Sequence, residues 1–377
     1  MSWIFWCSLA FLGYTFVGYR TLLWMLSRRY SRLHRRASIY PEVSLIIAVH
    51  NAGNVIREKL ANALALDYPQ EKFEIIVASD ASNDDTAAIV RTFADQGVRL
   101  VEIPHRRGKG HAEMTARNAS RGEILVFTDA SALLEPSSLR RMVENFADPS
   151  VGVVSSNDLM EARSKDGAGE TSYTQGEMGL RCLESSVSSL VSVSGCFFGA
   201  RRQICDVWDT KGCSDFFVPL HAVSQGFRVV MDPDCRARVR AVGSRRAEFR
   251  RKVRTIVQGL DVFFSHLTLL NPFRYGVFSW QLVSHKLFRW LLPFGFAALL
   301  LSNIALYQVH PMYRLFLVLQ LAGYGAGLLA LVLENRVDLT PLRLAEFFLL
   351  GYAATLVAWL DFSLGETYVI WEPSRRA

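Results

Sequence analysis

Four short stretches of the 377-residue chain carry side chains that could perform chemistry. Asp80 and Asp129 each follow or end an apolar run of strand length, in FEIIVASD and EILVFTD. Lys109 lies in the glycine-flanked loop RRGKGHA, and Asp215 lies in KGCSDFFVPL. Carboxylates hold hard divalent cations or accept protons, and a flexible lysine suits phosphate oxygens. We therefore examined which elements position these four residues.

The segments around these residues predict alternating strands and helices. Apolar runs indicate buried strands at residues 43–49, 73–79 and 123–128, and a short strand is predicted at 98–104. Helical spacing or helix-ending signals predict helices at 55–66, 85–97 and 110–122. This order indicates a doubly wound, Rossmann-like α/β domain, in which ligands bind beyond the carboxyl ends of the strands. Asp80 and Asp129 are therefore predicted to face one crevice.

A dinucleotide-binding oxidoreductase would use the same architecture, but it would carry GxGxxG directly after the first strand. Here the first strand runs into HNAGNV, and the glycine cluster RRGKGH follows a later strand. The sequence therefore disfavours a redox enzyme.

Long apolar segments flank this middle part. Half of all residues are hydrophobic, and four segments are close to the length that crosses a bilayer: 2–26, 291–309, 315–333 and 344–360. Five arginines between residues 28 and 36 follow the first segment and predict that the middle part lies in the cytoplasm. A signal peptide, the alternative for the first segment, would need a positive start and a small-residue cleavage site. The last segment is left open as a crossing or a re-entrant helix, because Arg375 and Arg376 favour the cytoplasmic side.

These features predict five regions along the chain. They are an N-terminal transmembrane helix (1–27), a basic linker (28–40), an α/β domain (41–244), amphipathic interfacial helices (245–290) and a C-terminal transmembrane region of about three helices (291–377). The net charge of +7 is concentrated near the membrane flanks. Membrane lipids are therefore predicted partners, and nucleic acid is not. Trp280 is predicted to anchor in lipid, with a sugar-ring contact as the alternative.

Four motifs, in this order along the chain, resemble those of the family 2 glycosyltransferases, especially the membrane-bound bacterial exopolysaccharide synthases. They are SDASNDDT, RRGKGHA, FTDAS and KGCSDFFVPL. Three further stretches support this resemblance: YTQGEMGLRCLES, SGCFFGARR and SHKLFRWLLP. The resemblance covers residues 41 to 259 and, more loosely, the predicted membrane segments. The resemblance implies a cytoplasmic α/β GT-A domain with transmembrane helices in the bacterial inner membrane. It also implies transfer of a sugar from a nucleotide donor with inversion at the anomeric carbon.

On the donor side, the resemblance assigns Asp80 to the nucleoside, which favours a UDP-sugar, and adds Asn51 at the end of the first strand. Asp129 matches the first acid of the family's DxD motif and is the implied ligand of Mg²⁺ or Mn²⁺, although Ser131 replaces the second acid. Lys109 is implied to contact the diphosphate. The residues alone also allow an Asx turn at Asp80, a strand end at Asp129 and a solvated charge at Lys109.

On the acceptor side, Asp215 matches the catalytic base, which takes the proton of the acceptor hydroxyl. A helix N-cap is the alternative for this residue. Ser194 and Gly195, in SGCFFGARR, are implied to lie beside the acceptor.

The stretch RRKVRTIVQG departs most from the family. Arg251 and Arg254 stand where processive members carry the Gln and Arg of QxxRW, and Thr255 replaces the Trp. Arg251 is implied on the acceptor side, and Arg254 is implied to clamp the diphosphate. A basic amphipathic interfacial helix is the other interpretation, and both are compatible.

The predicted function is transfer of a sugar, from a UDP-sugar in the first place, onto a growing exopolysaccharide or glycan. Transfer of a single sugar to a lipid-linked acceptor is the first alternative, favoured by the altered QxxRW stretch. An inactive scaffold subunit of a polysaccharide export complex is the second. A partner export subunit is left open in every case.

Overall fold

The computed structural model describes residues 1–161, 168–240, 245–333 and 339–370. The predicted domain end at 241–244 and the arginines at 375 and 376 lie outside these residues. The described strands are β1 Val43–Val49, β2 Phe73–Asp80, β3 Val98–Ile103, β4 Ile124–Asp129, β5 Ala132–Leu134, β6 Val151–Glu161, β7 Phe197–Arg201 and β8 Arg228–Arg240.

The described helices fall into two groups. The α/β domain contains α2 Ile56–Leu64, α3 Thr86–Arg91, α4 Lys109–Ala119, α5 Ser138–Glu144, α6 Ala168–Val187 and α7 Ser214–Ser224. The remaining helices are α1 Ser2–Arg29, α8 Arg245–Ser265, α9 Pro272–Tyr275, α10 Val277–Ala305, α11 Pro311–Leu333 and α12 Thr340–Ser363.

One mixed sheet organises the domain, with strand order β3-β2-β1-β4-β7-β6-β8-β5. The first four strands are parallel, and Ala48 pairs with both Ala78 and Asp129 in register. Strand β7 then runs antiparallel to β4 and to β6. The parallel half confirms the four predicted strands, whereas β5 to β8 were not predicted. The sheet is therefore parallel and Rossmann-like from β3 to β4, and it contains both parallel and antiparallel pairs from β4 to β5.

Strands β1, β2 and β4 are largely apolar because both faces of the sheet are covered there. Ile46 and Phe127 point to the face that packs against Ala112 and Ala116 of α4. Leu45, Ile47 and Val126 belong to the opposite cluster, which also contains Leu60 of α2 and Leu139 of α5. Two buried clusters thus hold the carboxyl ends of the strands in place between helices.

Four helices are long and apolar enough to cross a membrane: α1, α10, α11 and α12. Phe5 of α1 is fully buried and packs edge-to-face on Tyr313 and Phe316 of α11. The predicted apolar segments are thus confirmed as helices, and the one predicted from residue 291 begins earlier, at Val277.

Trp280 lies within α10, is half-buried and contacts α1, and its anchoring in lipid stays a prediction. Its Nε1–H donates to the Tyr14 hydroxyl at 2.7 Å, and its ring meets Tyr19 edge-to-face. The Tyr14 hydroxyl also lies 2.7 Å from Ser284 Oγ. Trp280 is therefore a helix-packing residue. Before it, Gly276 adopts a positive φ of 56° between α9 and α10.

A buried polar cluster joins the membrane helices to the domain. His285 of α10 lies between two glutamates of α6, with Nδ1 2.6 Å from Glu184 Oε1 and Nε2 2.8 Å from Glu177 Oε1. The Tyr19 hydroxyl donates to Glu184 at 2.6 Å, and Arg289 pairs with Glu177 at 2.7 Å. Helix α6 is thus fixed against both α1 and α10.

Candidate active site

A cavity of about 1150 Å³ opens at the carboxyl ends of the parallel strands. Eight of the nine predicted site residues line it: Asn51, Lys109, Asp129, Ser194, Gly195, Asp215, Arg251 and Arg254. They come from strand β4, from loops beside the strands, from α4 and α7, and from α8. A cavity therefore exists where the crevice was predicted, and α8 lines part of it. Asp80 is the residue that the cavity lining does not include.

Asp129 and Lys109 form an ion pair at the centre of the cavity. Lys109 Nζ lies 2.8 Å from Asp129 Oδ1 and donates to the carbonyl oxygen of Gly195 at 3.3 Å. Burial by itself would lower the pKa of Lys109, but the carboxylates of Asp129 and Glu113 beside it raise that pKa above its usual value. The alternative of a solvated surface charge at Lys109 is therefore wrong.

Glu113 is a second acid beside this pair that the sequence analysis missed. It lies one turn after Lys109 on α4, is only 2% exposed, and has Oε1 at 3.7 Å from Lys109 Nζ. Burial raises the pKa of Glu113 to about 7, against the opposing effects of Lys109 and the Ser214 hydroxyl. The i, i+4 spacing from Lys109 was the available signal, since residues four apart share one face of a helix.

Asp215 lies in the first turn of α7 and is not its N-cap. The cap position belongs to Cys213, and Asp215 Oδ2 would lie 2.9 Å from a side-chain carbon built onto Gly195. The alternative of a helix cap is therefore wrong. Because Gly195 has no side chain, the Asp215 carboxylate can face the cavity across this close approach.

Asp80 lies beneath the cavity and supports the loop that carries Lys109. It is completely buried, and its Oδ1 and Oδ2 accept the backbone N–H groups of Arg107 and Gly108, each at 2.8 Å. Both carboxylate oxygens are thus engaged within the protein. Direct contact of Asp80 with a nucleoside stays a prediction, whereas its contact with the loop is observed.

The ends of β1 and β2 hold strained turns next to this loop. Asn51 and Ala81 have positive φ values of 49° and 51°, which non-glycine residues rarely adopt. Asn51 Oδ1 accepts the backbone N–H of Asn83 at 2.9 Å. Such strain is common where a fold positions functional groups. Asn51 lines the cavity and joins the two strand ends.

Ser194 is held by the half-buried carboxylate of Asp158. Its hydroxyl donates to Asp158 Oδ2 at 2.5 Å and accepts the backbone N–H of Cys196 at 3.0 Å. Burial raises the pKa of Asp158, against the Ser194 hydrogen bond and the charge of Arg181. Asp158 also lines the cavity and was missed, because β6 was not predicted.

Helix α8 presents Arg251, Arg254 and Thr255 to the cavity. Arg251 donates from Nε and Nη2 to the two oxygens of Glu248, both at 2.8 Å. The other face of α8 packs through Val253 and Val257 on α12. Both interpretations of RRKVRTIVQG are thus compatible with the structure, because one helix is amphipathic and lines the cavity.

A completely buried lysine supports the turn after Asp129. Lys59 of α2 donates to Thr128 Oγ1 at 2.9 Å and to the Ala132 carbonyl at 2.6 Å. Burial lowers the pKa of Lys59 to about 7, although the Asp129 carboxylate opposes this. A lysine inside a helical apolar pattern was a signal that sequence reasoning passed over.

The residues around Asp129 fit a shared metal site rather than a complete one. Among the residues that the structure describes, no group of three or more His, Cys, Asp or Glu side chains is arranged to hold an ion. Mg²⁺ in nucleotide-dependent enzymes commonly takes one or two carboxylates and completes its shell with phosphate oxygens and water. Asp129 and Glu113, both beside the Lys109 ammonium, offer that incomplete set.

Comparison with known proteins agrees with this geometry. Residues 44–206 match the family model described as glycosyl transferase family 2. The succinoglycan biosynthesis protein ExoO of Rhizobium meliloti (strain 1021) is 30% identical over 138 residues, which are 37% of this chain and 38% of that protein. A poly-beta-1,6-N-acetyl-D-glucosamine synthase of Staphylococcus aureus (strain MSSA476) is 26% identical over 200 residues, 51% of this chain and 48% of that protein. The chain thus spans less than half the length of these curated relatives.

Among solved structures, the mannosyltransferase PcManGT from Pyrobaculum calidifontis, in complex with GDP-Man and Mn²⁺, resembles nearly the whole chain. The TM-score is 0.71 with 25% identity, and the match covers 96% of this chain and 99% of that one. The likeness extends over the membrane helices as well as the sheet. The chain therefore resembles glycosyl transferase family 2 at residues 44–206 and combines a GT-A-type mixed sheet with long apolar helices.

Proposed function

We propose that this protein is a membrane-bound inverting glycosyltransferase. It takes a sugar from a nucleoside-diphosphate donor, a UDP-sugar in the first place, and attaches it to a glycan or lipid-linked acceptor for exopolysaccharide synthesis. The observation that carries this proposal is that Asp129, Lys109 and Asp215, far apart in sequence, line one cavity. The names of the two curated relatives support an exopolysaccharide product.

The chemistry follows from the arrangement of these side chains. Asp215 accepts the proton of the acceptor hydroxyl while that oxygen bonds to the anomeric carbon. The bond from the anomeric carbon to the diphosphate oxygen breaks, and the nucleoside diphosphate leaves with the electron pair. Attack from the face opposite the diphosphate inverts the configuration. Lys109 and Arg254 are the cations that hold the departing charge.

Asp129 is the proposed metal ligand, and Mg²⁺ or Mn²⁺ bound there would neutralise charge on the diphosphate. Asn51 and Asp80 are proposed for the nucleoside end, Asp80 through the loop that its carboxylate holds. Ser194, Gly195 and Arg251 are proposed for the acceptor end of the cavity.

The test is release of nucleoside diphosphate by the full chain in lipid nanodiscs. A panel of UDP- and GDP-sugars is needed, because the structural relative was solved with GDP-Man. We expect metal-dependent turnover of one donor, reduced at least 100-fold in Asp215→Asn, the usual scale for losing a general base. Asp206→Asn, the same change on an exposed residue paired with Arg117, is the matched control and retains activity. Equal turnover in Asp215→Asn and wild type, or no donor binding at all, would reject the proposal.

A second candidate is transfer of one sugar without elongation. The observation that favours it is the small number of aromatic side chains in the cavity lining. Among the described residues, Phe347 and His50 provide the only rings. Thr255 occupies the position at which processive relatives carry a tryptophan, so that stacking platform for an acceptor sugar is missing. Product length, measured by mass spectrometry with a lipid-linked acceptor, separates one addition from many.

We also propose that the catalytic domain lies on the cytoplasmic side of the bacterial plasma membrane and that the chain crosses that membrane three times. Helix α12 is apolar, but both of its ends contact the catalytic side. Near its start, Glu346 pairs with Arg245 of α8 at 2.6 Å. Beyond its end, the Tyr368 carbonyl accepts from Gln258 at 2.6 Å, and Val369 lines the cavity. A helix held along the arginine-rich α8 at both ends lies in the interface rather than across the bilayer.

Reporter fusions test this topology in a bacterial host. We expect a green fluorescent protein fused at the C-terminus to fluoresce and alkaline phosphatase at the same place to be inactive. Alkaline phosphatase inserted between α10 and α11 is expected to be active. Phosphatase activity at the C-terminus would mean that α12 crosses the membrane.

A further inference from the structure

The Lys109 ammonium stands among oxygen atoms of the kind that a hard divalent cation selects. Its Nζ lies 2.8 Å from Asp129 Oδ1, 3.3 Å from the Gly195 carbonyl oxygen and 3.7 Å from Glu113 Oε1. These oxygens belong to the end of β4, to the loop before β7 and to α4. Carboxylates and backbone carbonyls are ligands for Mg²⁺ and related ions. The protein therefore contains its own cation at the position proposed for the metal.

An ammonium and a divalent ion cannot share this position. Both would take the Asp129 carboxylate as their anionic partner, and two cations a few ångströms apart in a partly enclosed cavity repel each other. The chain also lacks the second acid of the DxD pattern, because residue 131 is Ser. In the donor-free protein, the carboxylate that a metal needs is therefore already neutralised by Lys109.

We propose that Lys109 keeps divalent metal out of the donor-free site and releases Asp129 only when a diphosphate binds. This inference rests on the proposed function, because the releasing ligand is the donor's diphosphate. The phosphate oxygens give the Lys109 ammonium a new anionic partner and give the metal the ligands that the protein lacks. Lys109 can make this exchange because it begins α4 directly after Gly108 and carries a flexible four-carbon stem. Metal and donor consequently bind as a pair.

The test is Mn²⁺ binding to the full chain in nanodiscs, followed by electron paramagnetic resonance of the free ion. In the donor-free protein we expect Lys109→Met to bind Mn²⁺ at least tenfold more tightly than wild type. Lys109→Met combined with Asp129→Asn should lose that gain. Arg117→Met removes a cation from the same helix, one that pairs with Asp206 away from the cavity, and should bind Mn²⁺ as wild type does.

A second measurement uses wild type alone and does not depend on how a variant folds. Adding UDP or GDP is expected to tighten Mn²⁺ binding at least tenfold, and Mn²⁺ must tighten nucleotide binding by the same factor. Equal Mn²⁺ affinity in wild type and a folded Lys109→Met, or equal affinity with and without the bound nucleotide, would overturn the inference. If the inference is overturned in this way but the wild-type protein still transfers a sugar, only the inference about Lys109 is rejected and the proposed function is retained. If Lys109→Met gains Mn²⁺ affinity but the wild-type protein turns over no donor, the proposed function fails instead.

Discussion

The carboxylate of Asp215 lies against the α-carbon of Gly195, so close that a side-chain carbon on Gly195 would stand 2.9 Å from Asp215 Oδ2. The two residues are 20 positions apart in sequence, in a loop before β7 and in the first turn of α7. The Asp215 carboxylate, the proposed base, can therefore occupy this position only because Gly195 has no side chain.

We expect Gly195→Ala to push the Asp215 carboxylate away from its position. A displacement of about 1 Å at a catalytic group commonly costs about 100-fold in rate, so kcat should fall about 10- to 100-fold with donor affinity little changed. Steady-state kinetics and donor binding measure both. Gly323→Ala, in α11 with nothing within 4 Å of the added carbon, is the control. An unchanged kcat in Gly195→Ala would show that the Asp215 position is not limiting.

Asp80→Asn tests whether this residue acts through the loop. An amide NH₂ in place of one carboxylate oxygen would face the backbone N–H of Arg107 or Gly108, leaving a buried donor unpaired at a cost of about 1–3 kcal/mol. We expect the melting temperature and the donor affinity to fall together. The exposed Asp95→Asn serves as control for the chemical change. Loss of donor affinity with unchanged melting temperature would instead favour direct contact of Asp80 with the nucleoside.

The raised pKa of Glu113 predicts how stability depends on pH. The pKa is about 7 in the folded protein and about 4.5 in the unfolded chain, so between these values the folded state keeps a proton that the unfolded state has released. The free energy of unfolding should therefore fall as pH rises from 5 to 8, by up to about 3 kcal/mol from this group.

Glu113→Gln removes that decline because glutamine does not titrate. We expect its melting temperature relative to wild type to rise by several degrees between pH 5 and pH 8. Differential scanning fluorimetry of the full chain at both values measures this, with exposed Glu71→Gln as control. A constant difference between variant and wild type would mean that Glu113 is ionised throughout.

The pair of Arg245 and Glu346 predicts strong coupling between α8 and α12. Arg245 Nε lies 2.6 Å from Glu346 Oε1, and its Nη2 donates to Oε2 at 3.2 Å. The glutamate is buried within a largely apolar helix. Removing one partner of such a pair commonly costs about 3–5 kcal/mol, because the other charge stays buried.

A double-mutant cycle measures this coupling. Arg245→Met should lower the melting temperature strongly, whereas Arg245→Met with Glu346→Gln should recover most of the loss. Additive effects of the two single changes would show that the pair does not hold α12 against α8.

The sequence alone determined the parallel half of the fold. Strands buried on both faces are mostly apolar, so β1, β2 and β4 appear as nearly continuous apolar runs such as VSLIIAV. Each run ends where the chain leaves the core, which is why Asp80 and Asp129 could be located at the carboxyl edge without a structure. The membrane helices were equally visible, because a bilayer demands about 20 consecutive apolar residues.

The tertiary structure alone decided the second half of the sheet. Strand β8, RVVMDPDCRARVR, mixes charges and a proline into its apolar pattern, and its partners β5 and β6 lie about 70 or more residues away. Separation in sequence also hid Glu113 beside Ser214, and Asp158 beside Ser194. Local patterns report which face of an element is buried, but not which polar groups another element brings to it. Only the tertiary structure therefore shows three features: the position of Asp80 beneath its loop, the Lys109 ion pair, and the path of α12 along α8.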